Sequence, residues 1–399
     1  MKKENSILAT ILLLLLTGCG GDKHSNDDAF ITVDVTKNYP KKELILQDIA
    51  DVEYIPLETT DEFINRGLVR SVTDNHLAIR LARQEEIMIY DRLTGKALHK
   101  ISKRGQGAGE YIFATKMVVD DERQELYVRP FRQQKILVYD LAGNYKRDLV
   151  LPKNTPLYLN YMFNYDRDHL FCSNAIYEEP EDQVFWIISK QDGSFVREIV
   201  IPFEKKIAYP LITPEGYLLE CMHSAHPIIP FRDQFIIEHH SADTIYRYLP
   251  KQDHPVPMIA RTPSIQSMNP HVILFLEAIT EGYYFMNATK LEAPPFPTPD
   301  KLFAFESFPS KKLVYCKKDK AIYEYTMYNA DIDNQTEVIL TQVDDKGGYG
   351  GDIMFWYRFE AYKLVELYKK GELKGRLKEI AAELDEEDNP VIMVVKHKK

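Results

Sequence analysis

Apolar and polar positions along this chain come in short bursts of strand length, and the bursts recur. Three stretches share one form: a β-rich run, a polar turn ending in glycine, and a second β-rich run. They read IMIYDRLTGKALHKI (87–101), ILVYDLAGNYKRDLVL (136–151) and VFWIISKQDGSFVREIVI (184–201). Their turn glycines, Gly95, Gly143 and Gly193, stand 48 and then 50 residues apart. A repeat of that length built of short strands is the sequence signature of propeller blades.

Spread over the chain, the pattern predicts strands at Phe30–Val35 and Val52–Leu57, then blades of four strands each. The first blade is Leu68–Val72, Leu77–Leu81, Ile87–Tyr90 and Ala97–Ile101. The second is Lys116–Asp120, Leu126–Arg129, Ile136–Tyr139 and Tyr145–Val150, and the third Tyr158–Asn164, His169–Ser173, Val184–Ser189 and Phe195–Ile201. Beyond residue 201 the repeat weakens. A fourth blade is legible as Ile207–Ile212, Gly216–Cys221, Gln234–His239 and Thr244–Tyr248. A fifth is Ile273–Glu277, Gly282–Asn287, Lys312–Cys316 and Ile322–Met327, interrupted by a proline-rich insertion at 291–310. A sixth uses Val338–Val343 and Ile353–Tyr357. The count supports six units over residues 30–357, an all-β, six-bladed β-propeller.

The period then changes. Phe359–Lys370 and Leu373–Leu384 have helical spacing and strong helix formers, with a break near Gly371 and Gly375. Asn389-Pro390 stops the helix, and Val391–Val395 reads as a last strand. A propeller closes its ring by pairing a strand from one terminus with strands from the other. Val391–Val395 is therefore expected in the first or last blade, making 358–399 a C-terminal unit of helices and a ring-closing strand.

Composition adds a location. Lys2 and Lys3 precede a ten-residue apolar run, Ile7–Leu16, too short to span a bilayer and of the length of a signal core. It ends in Leu16-Thr17-Gly18-Cys19, which resembles a bacterial lipobox. The expected organisation is a signal peptide over 1–18, lipidation at Cys19, a polar tether over 19–29 and the propeller beyond. Cys172, Cys221 and Cys316 form no pair motif and read as buried small residues. Net charge is −10, which disfavours a nucleic-acid surface, because phosphate binding needs a dense basic patch.

Several motifs in order carry a family resemblance. They are Val52-Glu53-Tyr54-Ile55-Pro56-Leu57-Glu58-Thr59, Lys103-Arg104-Gly105-Gln106-Gly107-Ala108-Gly109-Glu110-Tyr111, Ile136–Gly143, Asp243-Thr244-Ile245-Tyr246-Arg247 and Glu387-Asp388-Asn389-Pro390-Val391-Ile392. Together they resemble the six-bladed, NHL-repeat-like propeller lipoproteins of Gram-negative gut anaerobes. Ala108 stands where that family often has Pro, and Arg129-Pro130-Phe131-Arg132 replaces an Asp-x-x-Asn loop. The resemblance implies the propeller and an envelope location, anchored to the outer membrane with the side unresolved. It implies no established activity, and fold alone licenses none.

Candidate chemistry is sparse. The Gly105–Gly109 loop precedes a strand and lacks dinucleotide or Walker spacing, so it reads as a blade crossing. Lys103, Arg104, Tyr111, Phe131 and Arg132 are candidate ligand contacts, because aromatics stack on sugars and peptides while Arg clamps carboxylates. No nucleophile constellation appears. The expected function is therefore a binding or scaffold module for a glycan, a peptide or an envelope-protein partner, with no cofactor. The alternative is a metal-dependent hydrolase or lyase acting in the central channel. Zinc or calcium would then be held by His223, His226 and His239, as in some six-bladed propeller lactonases and lyases that use channel histidines.

Overall fold

A computed structural model describes residues 30–153, 159–174, 184–207, 211–212, 218–219, 227–250, 254–292, 308–333, 337–338, 340 and 350–398. The fold is a six-bladed β-propeller with three short α-helices among the described residues. Three strands come first: β1 (Ile31–Asp34), β2 (Lys41–Ile45) and β3 (Ala50–Pro56). Blade 1 is β4 (Leu68–Val72), β5 (His76–Leu81), β6 (Glu86–Asp91) and β7 (Ala97–Ser102). Blade 2 is β8 (Ala114–Asp120), β9 (Glu125–Pro130), β10 (Lys135–Asp140) and β11 (Tyr145–Val150). Blade 3 is β12 (Leu159–Asn164), β13 (His169–Asn174), β14 (Val184–Ser189) and β15 (Phe195–Val200). Each strand of these blades pairs antiparallel with its sequence neighbour, so the expected strands are found with ends shifted by a residue or two.

Blade 4 corrects the sequence reading. Ile207–Ile212 and Gly216–Cys221 do not supply its inner strands. Instead, among the described residues, β16 (Leu211–Ile212) and β17 (Leu218–Leu219) pair with each other and with no other strand. The blade is β18 (Ile228–Phe231), β19 (Gln234–Ile237), β20 (Thr244–Tyr248) and β21 (Pro255–Thr262). Blade 5 is β22 (Val272–Ile279), β23 (Tyr283–Lys290), β24 (Ser310–Cys316) and β25 (Ala321–Tyr328), as expected, and most of the insertion between its middle strands lies outside the described residues. Blade 6 holds β26 (Ile353–Phe359) and β27 (Val391–His397). The expected strand Val338–Val343 lies almost wholly outside the described residues.

The N-terminal segment laces three blades together. β1 adds in parallel to β21 at the outer edge of blade 4, and β2 adds in parallel to β25 of blade 5. β3 then pairs with β27, which is itself flanked by β26, so N- and C-terminal strands share blade 6 and close the ring. Helix α1 (Leu46–Ile49) links β2 to β3. Helices α2 (Ala361–Lys370) and α3 (Gly375–Glu383) form an excursion between β26 and β27.

Burial explains the strand chemistry. Middle strands pack on both faces, so all six residues of β9 are buried, whereas the outer strand β7 buries one residue of six. Val391, Ile392, Val394 and Val395 of β27 are fully buried. Contacts run from blade to blade around the ring. Val119 N–H donates to Ser71 Oγ at 3.0 Å, and Asn164 Nδ2 donates to Val119 O at 2.8 Å. Phe171 meets Phe235 edge-on at 4.9 Å. Leu276 N–H donates to Glu238 Oε2 at 2.9 Å, Tyr54 O–H donates to Asn329 Oδ1 at 3.1 Å, and Glu58 N–H donates to Gly95 O at 2.9 Å.

Candidate functional site

Strand alternation puts the hairpins joining the first and second strands of every blade on one face of the ring. Together with the third-to-fourth turns they wall an axial funnel of about 690 Å³. Its wall includes Thr73-Asp74 from blade 1, Asp120-Asp121-Glu122 from blade 2, Tyr165-Asp166-Arg167 from blade 3 and Arg232-Asp233 from blade 4.

Most charges in the funnel are already paired. Asp121 clasps the blade 1 hairpin: it accepts from Thr73 Oγ1 (2.9 Å) and the Asn75 N–H (3.0 Å), and lies 2.6 Å from His76 Nδ1. Burial works against its charge, but the bonds from His76, Thr73 and Asn75 prevail and hold the carboxyl below the usual carboxylate range. Lys190, 1 % exposed, donates to Asp120 Oδ2 and to Asp166 O, both at 2.7 Å. Arg167 pairs with Glu122 and Arg232 with Glu281. Asp166 faces His169 Nδ1 at 2.8 Å. Asp74 and Asp233 differ: both side chains are exposed, and neither carboxylate has a partner among the described residues. Their blades, 1 and 4, stand opposite one another across the ring. On the blade 3–4 side, Tyr165 stacks on Phe235 at 5.6 Å and 20°, giving an apolar wall beside the carboxylates. Such a cavity suits an elongated cation with an aliphatic stem.

The residues nominated from the sequence lie elsewhere. On the opposite face, Phe131 and Arg132 are exposed at the β9–β10 turn. Phe131 meets Phe113 at 5.8 Å, Arg132 lies 5.0 Å from the Phe131 ring, and Arg80 stacks under Phe113 at 4.1 Å. Arg80 in turn forms a buried pair with Glu85 at 2.6 Å. Lys103 and Arg104 start the blade 1–2 crossing. Tyr111 is fully buried and donates to Glu85 O at 3.1 Å, so it supports this surface from below instead of lining it. The glycine loop is a blade crossing: the Glu110 carboxylate accepts from Gly107 N–H at 2.8 Å and packs against Gly105, filling the space an anion would take.

Cys19, His223 and His226 lie outside the described residues. His239 is buried, stacked between Phe203 and His240 at 4.4 Å on each side. Its Nδ1 accepts from Ser241 N–H at 3.0 Å. Burial, with His240 and Lys206 beside it, pulls its pKa down to about 2. Among the described residues no three His, Cys, Asp or Glu side chains gather to hold a metal. Trp186, Trp356, Cys172 and Cys316 are buried packing residues.

From the sequence the Asp120-Asp121 pair reads as part of a polar turn and no funnel residue stands out as a site, although a signal existed. Asp74, Asp121 and Asp166 recur at intervals of 47 and 45 residues, close to the 48 and 50 of the turn glycines. Sequence reasoning also passed over Lys116, an inner-strand lysine 5.7 Å from the Tyr161 ring, whose pKa burial and neighbouring Arg70 draw down to about 7.

Among solved structures, a Bacteroides fragilis protein described as exported is similar over 93% of this chain and 100% of its own, with 16% identity and a TM-score of 0.57. A member of the DUF4221 family from Bacteroides vulgatus covers 88% of this chain and 98% of its own at 10% identity and a TM-score of 0.44. Virginiamycin B lyase from Staphylococcus aureus covers 86% and 99% at 12% identity and a TM-score of 0.38. The first likeness shows the shared propeller fold, and the other two say nothing of activity here. No curated protein matches the chain. Among the described residues no helix is long and apolar enough to cross a membrane. A family profile matches residues 30–396, almost the whole chain beyond its first 29 residues, and the protein belongs to that family, the domain of unknown function DUF4934.

Proposed function

We propose that this protein is an envelope-tethered lipoprotein whose propeller is a binding module, taking a basic segment of a partner protein into the axial funnel. Asp74 and Asp233 carry the reading. They are two exposed carboxylates on opposite blades, in a cavity whose other charges are largely paired, beside the stacked Tyr165 and Phe235. A lysine or arginine side chain entering there gains a charge partner and an aromatic contact together. The chain's negative balance steers a basic partner toward it.

Titration calorimetry with penta-lysine and an array of basic peptides tests this. Each exposed carboxylate–ammonium contact contributes roughly 0.5–1 kcal/mol. The double variant Asp74→Asn/Asp233→Asn is therefore expected to bind about tenfold more weakly, with less dependence on salt. Equal affinity in the variant, or binding indifferent to salt, rules the funnel out.

The envelope placement rests on Leu16-Thr17-Gly18-Cys19 and the polar tether, and the exported relative agrees with it. Multiple acyl chains hold a protein on a bilayer stably. Wild-type protein is expected in the detergent phase of a phase-separation assay and to incorporate labelled palmitate. The Cys19→Ser protein is expected in the aqueous phase and unlabelled. Labelling of the Cys19→Ser protein would refute lipidation at this residue.

A further inference from the structure

On the face opposite the funnel, a groove of about 1420 Å³ runs between the segment leading into blade 1 and the α2–α3 excursion. Asn389, just before β27, fastens its two sides. Its Nδ2 donates to Glu58 O at 2.7 Å and Phe63 O at 2.6 Å, and its Oδ1 accepts from Asn65 N–H at 2.6 Å. The groove is thus a built feature with fixed walls.

Asn65 lines this groove and is 3 % exposed. Its Oδ1 accepts from Gly67 N–H at 2.8 Å, which fixes the orientation of the amide. Its Nδ2 is left buried with no hydrogen-bond partner among the described residues. Native proteins rarely leave a buried amide donor unmade, so a group in the groove is expected to accept from it. Arg66, beside it, is exposed and has no partner among the described residues. Asp61 and Glu387 are exposed acceptors on the same walls, while Arg358 pairs with Glu360 at 2.9 Å and Lys369 with Glu386 at 2.8 Å. At the edge, Tyr362 of α2 is 50 % exposed and Ile64 is 54 % exposed.

We propose that this groove binds a neutral oligosaccharide, with Asn65 Nδ2 donating to a ring or hydroxyl oxygen and the Tyr362 ring stacking on a sugar face. Three features select that class. Donors (Asn65, Arg66) and acceptors (Asp61, Glu387) without partners among the described residues line the same groove, and a hydroxyl serves both. The half-exposed tyrosine ring matches the apolar face of a pyranose. Carboxylates outnumber bases on the walls, which opposes a polyanion, while the idle donors Asn65 and Arg66 oppose a polycation. The site does not depend on the funnel reading.

The test uses the mature chain on an array of neutral hexasaccharides (cello-, malto-, xylo- and manno-configured), followed by calorimetry on any that bind. At least one is expected to bind, about tenfold more weakly to Asn65→Ala and to Tyr362→Ala. Asn65 also supports Gly67, so Tyr362→Ala, an exposed change expected to leave the melting curve unaltered, keeps the test sound if Asn65→Ala folds poorly. Asp74→Asn/Asp233→Asn is expected to leave sugar binding intact, which separates this site from the funnel. Binding to none of the neutral sugars, or binding unchanged by Tyr362→Ala, overturns the proposal. So does a groove that takes only charged peptides.

Discussion

Val394→Asp is expected to destabilise the folded ring severely, removing a large share of its stability at room temperature. Val394 is fully buried in β27, between Trp356 of β26 and Glu53 of β3. The change removes an apolar side chain from the core and puts a carboxylate there in register with the Glu53 carboxylate, whose partners Lys396 and Arg92 are already engaged. That combination costs roughly 4 kcal/mol or more, against a total stability of about 5–15 kcal/mol for a typical domain. Position raises the cost further. β27 alone joins β26 to β3, so a strand that slips out opens the ring between its first and last elements. Circular dichroism and limited proteolysis read the result. A control at the rim, Val200→Asp on outer strand β15, where the side chain is 48 % exposed, should melt close to wild type. A Val394→Asp protein melting within a few degrees of wild type would show that closure does not depend on β27.

The closing strand was legible because its five apolar residues follow a helix stop and because a ring needs a seam. What it meets was less legible. β3 has a hydrophobic pattern of its own, but β2 reads Lys-Lys-Glu-Leu-Ile, with only Leu44 fully buried. An added outer strand needs one apolar face at most, so nothing in the five residues announces it. Blade 4 failed for a related reason. Its first hairpin turns at Arg232-Asp233, with Arg232 at φ +55 and no glycine to mark the reversal. Pro230 within β18 and Pro255 and Pro257 within β21 argue against strands by the usual rule. Prolines are tolerated in β18 and at the edges of pairing, and β21 finds its outer partner in β1. The funnel was hidden differently. Its walls come from hairpin turns some 45 or more residues apart, so no linear motif contains them, and only the period of the aspartates connects them.

The turn glycines, the clearest signal in the sequence, prove to be contacts between blades, and this fixes how they should respond to substitution. Gly95, Gly143 and Gly193 have φ of +73, +86 and +85, torsions that cost an L side chain about 1 kcal/mol. Each also presses on the outer strand of the preceding blade. A Cβ on Gly95 would run into the Pro56 carbonyl oxygen of β3, at the ring seam. One on Gly193 would lie 2.8 Å from the Leu149 carbonyl carbon of β11. One on Gly143 would lie 2.9 Å from the Ile101 side chain of β7, which can rotate away. Gly371, ending α2 at φ +74, has nothing within 4 Å and reports torsion alone. Overpacking against backbone adds about 1–3 kcal/mol. Urea unfolding of the four alanine variants is therefore expected to rank Gly95→Ala as the most destabilised, by about 3 kcal/mol. Gly193→Ala and then Gly143→Ala follow, and Gly371→Ala loses only about 1 kcal/mol. If all four lose the same amount, the repeat records turn geometry only. If the order holds, the 48- and 50-residue spacing is the spacing of blade-to-blade contacts. Blades 5 and 6 would then lack it because their turns face β1 and β2, the strands added outside blades 4 and 5.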